Sequence, residues 1–218
     1  MEKTDMINSK IWDFWSSKYE KLWVQKYSLR PTRREIISRL DYLLPAEGPV
    51  HILDMGCGTG QLVREIKAAF PGREIIVKGV DISQGMIRKA HLSDPQGSYE
   101  VYSMEGYHDE RHRYDFITCT HSLPYYENQG RALEKFHSWL KPGGYLLLAN
   151  ASTNNLYDAF AMFFVKWTTS RAHYPSVVQT ESLLSPFFFI KERQRIRERF
   201  YMSSIYLFVC QKGWKQER

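Results

Sequence analysis

Apolar side chains recur at helical spacing in the first part of the chain. Between residues 9 and 28, tryptophan, tyrosine, isoleucine and leucine follow at intervals of three or four, which predicts an amphipathic helix. Pro31 is expected to end this helix, because the residue before a proline disfavours helical geometry. A second helix is predicted to begin at Thr32, whose side chain would cap it in a capping box with Glu35.

Beyond a break rich in proline and glycine, the hydrophobic period changes and short strands alternate with helices. The pattern predicts strands at residues 50–54, 74–81, 98–103, 114–120 and 145–150, and helices at 61–70, 83–92 and 128–140. Strands separated by helices of about ten residues favour a parallel sheet covered on both faces. Right-handed crossovers make such a sheet doubly wound.

The last third of the chain has a less regular pattern. A very apolar stretch at 154–169 predicts a helical insertion, residues 171–180 a loop, and residues 187–200 and 203–211 two closing strands. The predicted fold class is therefore α/β, a doubly wound, Rossmann-like and mostly parallel seven-stranded sheet with helices on both faces.

Two parts of the chain are expected to differ in role. Residues 1–46 are predicted to form an N-terminal helical cap over the functional site, and residues 47–218 the sheet domain, with an apolar helical insertion at about 154–170. A length of 218 residues fits one domain with a small appendage. Hydrophobic residues at 43% and charged residues at 25% are ordinary globular values, which excludes a disordered, coiled-coil or collagen-like chain.

Basic residues alternate along the predicted penultimate strand. If residues 191–199 are extended, one face carries the basic side chains of Lys191, Arg193, Arg195, Arg197 and Arg199. This face suits a solvated edge strand that resists aggregation, and a stripe facing an anionic partner is the alternative. A helical conformation would scatter the same side chains.

The cysteines and the hydropathy of the chain indicate the cellular compartment of the protein. The three cysteines lie far apart without CxxC spacing, so neither a disulfide framework nor a metal site is indicated. No apolar run approaches the roughly 18 residues of a membrane span, and the polar N-terminus does not read as a secretory signal. We expect a cytoplasmic protein whose mild charge of +6 permits an acidic partner without requiring one.

A glycine-rich turn follows the first predicted strand. Asp54 ends the strand, and Gly56, Gly58 and Gly60 follow at every second position. The dinucleotide fingerprint G-x-G-x-x-G fails, because Gln61 stands where its third glycine belongs. An acid before such a turn disfavours a pyrophosphate and suits a ligand that carries an ammonium group and a nucleoside without phosphate.

A second acid ends the second predicted strand. Asp81 lies 21 residues after Gly60 (81 − 60), where dinucleotide folds place the acid that accepts the ribose hydroxyls. Each acid alone is a weak signal, since an aspartate at a strand end often caps a turn. Together with the glycine turn they predict a nucleoside site.

These motifs resemble those of a known family. The stretch Asp54–Gly60 and Asp81, with Tyr114-Asp115-Phe116-Ile117 and Leu140-Lys141-Pro142-Gly143-Gly144, is similar to class I S-adenosylmethionine-dependent methyltransferases. The resemblance covers residues 50–150 and is nearest to the ubiquinone/menaquinone type and other small-molecule enzymes. It implies S-adenosylmethionine as cofactor and S-adenosylhomocysteine as product. No metal is expected, because His108 and His112 have no third ligand near them in the sequence.

The resemblance also implies which residues bind the cofactor. Gly56, Cys57 and Gly58 would pass under the methionine part, Asp81 would hold the ribose, and Ile82 would pack on the adenine. Many relatives have an aspartate where Ser103 stands, so Glu105 or the Met104 backbone would replace its contact to the adenine amino group. The full implied set is Tyr19, Asp54, Gly56, Cys57, Gly58, Gly60, Asp81, Ile82, Met86, Ser103, Met104, Glu105, Thr120 and His121.

In this family the sulfonium of the cofactor already activates its methyl group, so the protein mainly has to align the nucleophile of the acceptor with that group. The candidate catalytic residues are His121 and Tyr125, either of which could act as a base if the acceptor arrives protonated. The alternatives are that His121 only packs against or hydrogen-bonds the cofactor, and that the ring of Tyr125 favours a cation. The expected acceptor is a small molecule with an N, O or C nucleophile, and the protein a monomer or homodimer. A nucleic-acid methyltransferase and a non-catalytic S-adenosylmethionine-binding module are the alternatives.

Overall fold

The computed structural model of the chain describes residues 3–16, 28–110, 113–153, 172–196 and 204–213. The helices in these ranges are α1 Lys3–Ser16, α2 Arg30–Leu43, α3 Gln61–Ala69, α4 Gln84–Ser93, α5 Gln129–Trp139 and α6 Val177–Leu184. The strands are β1 Val50–Met55, β2 Ile75–Asp81, β3 Ser98–Val101, β4 Tyr114–Thr120, β5 Leu140–Ala151, β6 Phe188–Ile196 and β7 Ile205–Lys212.

The seven strands form one sheet in the order β3-β2-β1-β4-β5-β7-β6. Neighbours from β3 to β5 are parallel, and β7 runs antiparallel to both β5 and β6. This arrangement confirms the predicted fold class. The strand order reverses between β1 and β4, so the carboxyl ends of these two strands flank the crevice in which open α/β sheets bind ligands.

Alternating side chains of the sheet divide the core into two layers. On one face Ile52 and Leu147 belong to a cluster with apolar residues of α2, α3 and α4. On the other face Leu53 and Leu148 pack with residues of α5 and of α6. Strands buried on both faces have nearly continuous apolar sequences, which explains why β1 and β4 were predicted at nearly their observed bounds.

The start of α2 differs from the prediction. Leu29 occupies the N-cap position, and Pro31 lies in the first turn of α2, where its missing N–H costs no hydrogen bond. Thr32 is fully buried inside the helix, and its hydroxyl donates to the carbonyl of Ser28 at 2.9 Å. The predicted capping box of Thr32 with Glu35 is therefore wrong, because tertiary contacts bury the threonine that the local pattern assigned to a cap.

Two further local predictions are corrected by the structure. The predicted loop at residues 171–180 ends early, since α6 begins at Val177 with a capping box between Ser176 and Gln179. The strand predicted at 145–150 begins earlier, since β5 starts at Leu140 and includes Pro142-Gly143-Gly144, near which the pairing register with β4 shifts.

Residues 188–196 form the strand β6, so the basic residues at its centre lie in an extended segment, as one of the two sequence alternatives predicted. Lys191, Arg193 and Arg195 alternate with less exposed residues on this edge strand. Arg193 pairs with Glu181 at 2.7 Å. Arg197, Arg199 and the predicted insertion at 154–170 lie outside the described residues.

No helix within the described ranges combines the length and the apolar character that crossing a membrane would need.

Candidate active site at the carboxyl end of the sheet

The turn after β1 depends on glycine for both conformation and space. Gly56, Gly58 and Gly60 have φ angles of 82°, 55° and 72°, in the left-handed region that favours glycine. A Cβ atom on Gly56 would lie 2.3 Å from the Cβ atom of Ser122, and one on Gly60 would contact the ring of Tyr99 at less than 3 Å. The loop after β4 therefore rests directly on the glycine turn.

The carboxylate of Asp81 ties the glycine turn to the end of β2. Its Oδ2 atom accepts the backbone N–H of Gly58 at 2.9 Å, and its Oδ1 atom accepts the backbone N–H of Ser83 at 2.9 Å. Burial raises the pKa of Asp81 to about 6, although these two hydrogen bonds favour the charged form. The carboxylate is thus held in a fixed orientation at the edge of the crevice.

Asp54 is buried at the end of β1, with 1% of its surface exposed. Its Oδ1 atom accepts the hydroxyl proton of Thr118 at 2.7 Å. Burial raises the pKa of Asp54 to about 7, and the negative charge of Asp81 adds to this shift, while Arg33 opposes it. Two neighbouring carboxylates with raised pKa values indicate a site that would be stabilised by a cationic ligand.

A cavity open to solvent lies between the glycine turn, α2 and the end of β4. It brings together six of the predicted site residues, which are Asp54, Gly56, Cys57, Gly58, Thr120 and His121. Burial raises the pKa of the Cys57 thiol well above its usual range, so this cysteine acts as a small apolar wall of the turn.

His121 follows β4 directly and adopts a φ of 59°, unusual for a residue with a side chain. Its backbone N–H donates to the carbonyl of Ala149 at 2.7 Å, which fixes the residue against β5. The ring atom Nε2 lies 3.1 Å from the hydroxyl of Thr32. Burial, and to a smaller extent the charge of Arg33, lowers the pKa of His121 to about 4, so the ring is neutral at pH 7.

Arg33 is a site residue that the sequence analysis missed. It is 8% exposed on α2, lines the same cavity, and donates its Nε–H to both carboxylate oxygens of Glu65 at 3.0 Å. Helix α2 contains several arginines, and its sequence does not distinguish the buried one from those that are exposed. Only the packing of α2 over the glycine turn reveals its position.

Tyr125 lies beside the crevice in a 3₁₀ turn after β4, in an aromatic cluster. Its hydroxyl is 2.8 Å from that of Tyr174, and its ring meets that of Trp12 edge to face with centroids 5.3 Å apart. The segment that carries Tyr174 is tied to this turn, because the N–H of His173 donates to the carbonyl of Pro124 at 2.8 Å. The cluster brings α1, the loop after β4 and residues 172–176 together.

Helix α1 is also attached to the helix that follows β2. The Oδ1 atom of Asp13 accepts the hydroxyl proton of Ser83 at 2.6 Å and the backbone N–H of Gly85 at 2.8 Å. The backbone N–H of Ser83 also donates to Asp81, so Ser83 links α1 to the carboxylate of Asp81. Trp12 and Asp13 thus attach α1 to both sides of the crevice, whereas Tyr19 lies outside the described residues.

The remaining residues predicted to contact the cofactor follow β2 and β3. Ile82 is half-buried and Met86 is fully buried in α4. After β3, Ser103 accepts the backbone N–H of Gly106 through its hydroxyl at 3.1 Å. Met104 and Glu105 line a second cavity beside α5.

Lys135 of α5 organises the loop after β3. Its ammonium group donates to the carbonyls of Met104 at 3.0 Å, Glu105 at 2.7 Å and Tyr107 at 3.0 Å. The carbonyls of Met104 and Glu105 therefore already have a hydrogen-bond partner in Lys135. Among the described residues, no group of three or more His, Cys, Asp or Glu side chains is arranged to hold a metal ion.

Comparison with known proteins gives consistent matches. A family model described as a methyltransferase domain matches residues 28–185. The chain is 29% identical over 121 residues to a malonyl-[acyl-carrier protein] O-methyltransferase of Halalkalibacterium halodurans, covering 53% of this chain and 44% of the relative. It is 32% identical over 108 residues to a ubiquinone biosynthesis O-methyltransferase of Coxiella burnetii, covering 48% and 44%. The chain spans less than half the length of these relatives.

Among solved structures, the fold is similar to that of magnesium protoporphyrin IX methyltransferase from Synechocystis PCC 6803 with bound S-adenosylhomocysteine. The TM-score is 0.75 at 17% sequence identity, and the match covers 97% of this chain and 100% of the other. At this identity the likeness shows the fold alone.

Proposed function

The chain belongs to the class I S-adenosylmethionine-dependent methyltransferases, and from this premise we propose that it transfers a methyl group from S-adenosylmethionine to a small-molecule acceptor. The observation that carries the cofactor assignment is the pair of carboxylates Asp54 and Asp81 beside the glycine turn, both with pKa values raised by burial. A cation that enters this site would stabilise both charges.

The residues present fit the proposed cofactor. Gly56 and Gly60 let the loop after β4 and the ring of Tyr99 pack directly on the glycine turn, which fixes the turn at the wall of the cavity that Gly56 and Gly58 line. Asp54 would hold the ammonium group, and Asp81, already fixed by two backbone N–H groups, would accept the ribose hydroxyls. Arg33, which borders the same cavity, would face the carboxylate of the methionine part.

The other predicted contacts follow from their places around the crevice. Cys57, Gly58, Thr120 and His121 would line the methionine part and the sulfonium. Toward the adenine, the contacts would come from Ile82, Met86, Ser103, Met104 and Glu105. Tyr19 remains a prediction for the cofactor carboxylate.

When bound, S-adenosylmethionine supplies a methyl group that its sulfonium already activates for attack by a nucleophile. The chain's own task is to align the acceptor and exclude water. His121, neutral at pH 7, suits a hydrogen-bonding role better than storage of a proton, because its pKa is lowered to about 4. Tyr125, with Trp12 and Tyr174, would form an aromatic wall on the acceptor side.

Two features favour a small acceptor with an N, O or C nucleophile. The α1 contacts through Asp13 and Trp12 cross the crevice, which leaves room for a small ligand more readily than for a polymer. The cationic face of β6 lies at the far edge of the sheet from β1 and β2. Both curated relatives named above are O-methyltransferases, one of ubiquinone biosynthesis and one of malonyl-[acyl-carrier protein], which agrees with an oxygen nucleophile.

The assignment is tested first by calorimetric titration with S-adenosylmethionine, S-adenosylhomocysteine and NAD. We expect micromolar binding of the two adenosyl ligands and none of NAD. Asp81→Ala should weaken S-adenosylhomocysteine binding by at least about a hundredfold, since a charged hydrogen-bonding partner is lost. Asp41→Asn, an exposed change on α2, is the matched control. Unchanged affinity in Asp81→Ala would refute the proposed site.

The alternatives are separated by two further assays. Incubation with labelled S-adenosylmethionine and a metabolite extract should yield labelled small molecules, whereas a non-catalytic binding module would bind the cofactor and transfer nothing. A nucleic-acid methyltransferase would instead bind RNA or DNA with an affinity that falls steeply with salt. Absence of binding at low salt would eliminate that alternative.

A further inference from the structure

One contact of the site joins His121 to a residue outside the sheet. The ring atom Nε2 of His121 lies 3.1 Å from the hydroxyl oxygen of Thr32, which is fully buried on α2. No other hydrogen bond of the His121 ring occurs within the described ranges, and the ring lines the cavity beside the glycine turn. The contact therefore bears on which ring nitrogen carries the proton.

The direction of this hydrogen bond follows from counting protons. A threonine hydroxyl has one proton to donate, and that of Thr32 goes to the carbonyl of Ser28 at 2.9 Å. The hydroxyl oxygen can then only accept from His121. With the Thr32 proton assigned to Ser28, the Nε2 atom carries the ring proton and the Nδ1 atom keeps its lone pair.

We propose that Thr32 is a positioning residue that sets the tautomer of His121, so that Nδ1 accepts a hydrogen bond from an O–H or N–H group of the methyl acceptor. This inference rests on the proposed function, because it assigns His121 to the acceptor side of that site. The neutral state of the ring at pH 7 agrees with it. The backbone N–H of His121 donates to the carbonyl of Ala149, which holds the Cα atom of His121 beside β5.

The functional consequence is orientation of the nucleophile. An acceptor hydroxyl or amine that donates to Nδ1 turns a lone pair away from the ring and toward the crevice, where the methyl group would lie. The opposite tautomer would present an N–H to the same group and would orient it wrongly. Thr32 thus acts through His121 and not by contact with the acceptor.

The decisive measurement is ¹⁵N NMR of the histidine rings, with the His121 signals identified by their absence in His121→Gln. We expect a protonated Nε2 and an unprotonated Nδ1 in the wild type. Thr32→Val, which keeps the branched shape and removes the hydroxyl, should give a mixture of tautomers, and Thr32→Ser should restore the wild-type pattern. A protonated Nδ1 in the wild type, or an unchanged pattern in Thr32→Val, would overturn the proposal.

A second readout links the tautomer to methyl transfer. The rate of label transfer from S-adenosylmethionine into the metabolite extract should fall about tenfold in Thr32→Val and recover in Thr32→Ser. Affinity for S-adenosylhomocysteine should stay within about twofold of the wild type. A parallel loss of affinity in Thr32→Val would show that the hydroxyl supports the cofactor site instead and would refute the positioning role.

The two proposals fail in different ways. If the protein does not bind S-adenosylhomocysteine at all, the proposed function fails, while the ring signals still report the tautomer. If the cofactor binds and label is transferred but the tautomer is reversed, only the role of Thr32 fails.

Discussion

At the scale of single residues, the site is defined by charges that the protein buries at a cost. Asp54 and Asp81 end neighbouring strands, and burial raises the pKa values of both. Their hydrogen bonds to Thr118, Gly58 and Ser83 orient the carboxylates without supplying a positive charge. This arrangement is expected of a site that binds a cationic ligand, because a buried carboxylate with a purely structural role would form an ion pair with a basic side chain.

Affinity for S-adenosylmethionine should depend on pH through these two carboxylates. The ligand favours their charged forms, so its affinity should rise as pH increases through their pKa values of about 6 and about 7. We expect an increase of about ten- to a hundredfold between about pH 5 and pH 8. Calorimetric titration across this range measures the effect, and Asp54→Asn should flatten it. An affinity that falls as pH rises would contradict the assignment.

At the scale of elements, the site is made by contacts between loops and helices that are distant in sequence. The loop after β4 rests on the glycine turn, where the hydroxyl of Ser122 donates to the carbonyl of Met55 at 2.9 Å. The hydroxyl of Tyr126 donates to Ser122 at 3.0 Å. Helix α1 closes the arrangement from the other side through Asp13. The crevice therefore depends on these attachments as much as on the strands below it.

The close contact between Gly56 and Ser122 should make Gly56→Ala severe. The substitution combines a φ of 82° with a Cβ atom 2.3 Å from another, so we expect a loss of about 2–4 kcal/mol in unfolding free energy and of S-adenosylhomocysteine binding. Gly48→Ala is the matched control, because Gly48 has a φ of 89° and no atom within 4 Å. It should cost only about 1 kcal/mol.

Denaturant unfolding and ligand titration measure both variants. The double variant Gly56→Ala with Ser122→Gly should recover part of the lost stability, since it removes the nearest atoms. Equal effects of Gly48→Ala and Gly56→Ala would show that backbone strain alone accounts for the loss.

Detachment of α1 should weaken the site without unfolding the sheet. Asp13→Ala removes the acceptor of the Ser83 hydroxyl and of the Gly85 N–H. We expect faster hydrogen exchange in α1 and about three- to tenfold weaker S-adenosylhomocysteine binding, because one charged hydrogen-bonding partner is lost. Lys10→Ala, an exposed change on the same helix, should alter neither. Unchanged exchange in Asp13→Ala would show that other contacts hold α1.

At the scale of the whole molecule, stability and ligand binding compete for the same residues. The sheet is buried on both faces and is stabilised by two apolar layers. Asp54 and Asp81, at the carboxyl ends of β1 and β2, lower the free energy of unfolding when they are charged, because burial disfavours the charged carboxylate. Such opposition is the common cost of a functional site in a stable scaffold.

The free energy of unfolding should show this cost at Asp54. Its folded pKa of about 7 lies above the unfolded value of 3.8, so the folded state binds the proton more tightly and loses stability as pH rises from about 4 to 7. Asp54→Asn should therefore match the wild type near pH 4 and exceed it by about 2–4 kcal/mol at pH 8. Denaturant unfolding of the ligand-free protein measures the difference, with Asp41→Asn as a flat control. A variant less stable than the wild type at pH 8 would contradict the raised pKa.

The sequence alone determined the sheet, the glycine turn and the two acids, because each of these depends on a local pattern. Buried strands such as 114–120 have continuous apolar sequences, and the acid and glycines of the turn stand at fixed spacing within ten residues. The helix predicted to begin at Ser83 is α4, which Ser83 caps by accepting the backbone N–H of Met86. Local geometry is enough to decide these features.

Only the tertiary structure decided which distant residues complete the site. Thr32 had the sequence pattern of a helix cap, and Arg33 that of a solvent-exposed cation, yet the packing of α2 over the crevice buries both beside His121. Asp13 contacts Ser83 and Tyr174 contacts Tyr125, so two residues 161 positions apart in the sequence lie beside the same crevice. Contacts across such separations depend on how helices pack against the sheet, and no spacing along one sequence encodes that packing directly.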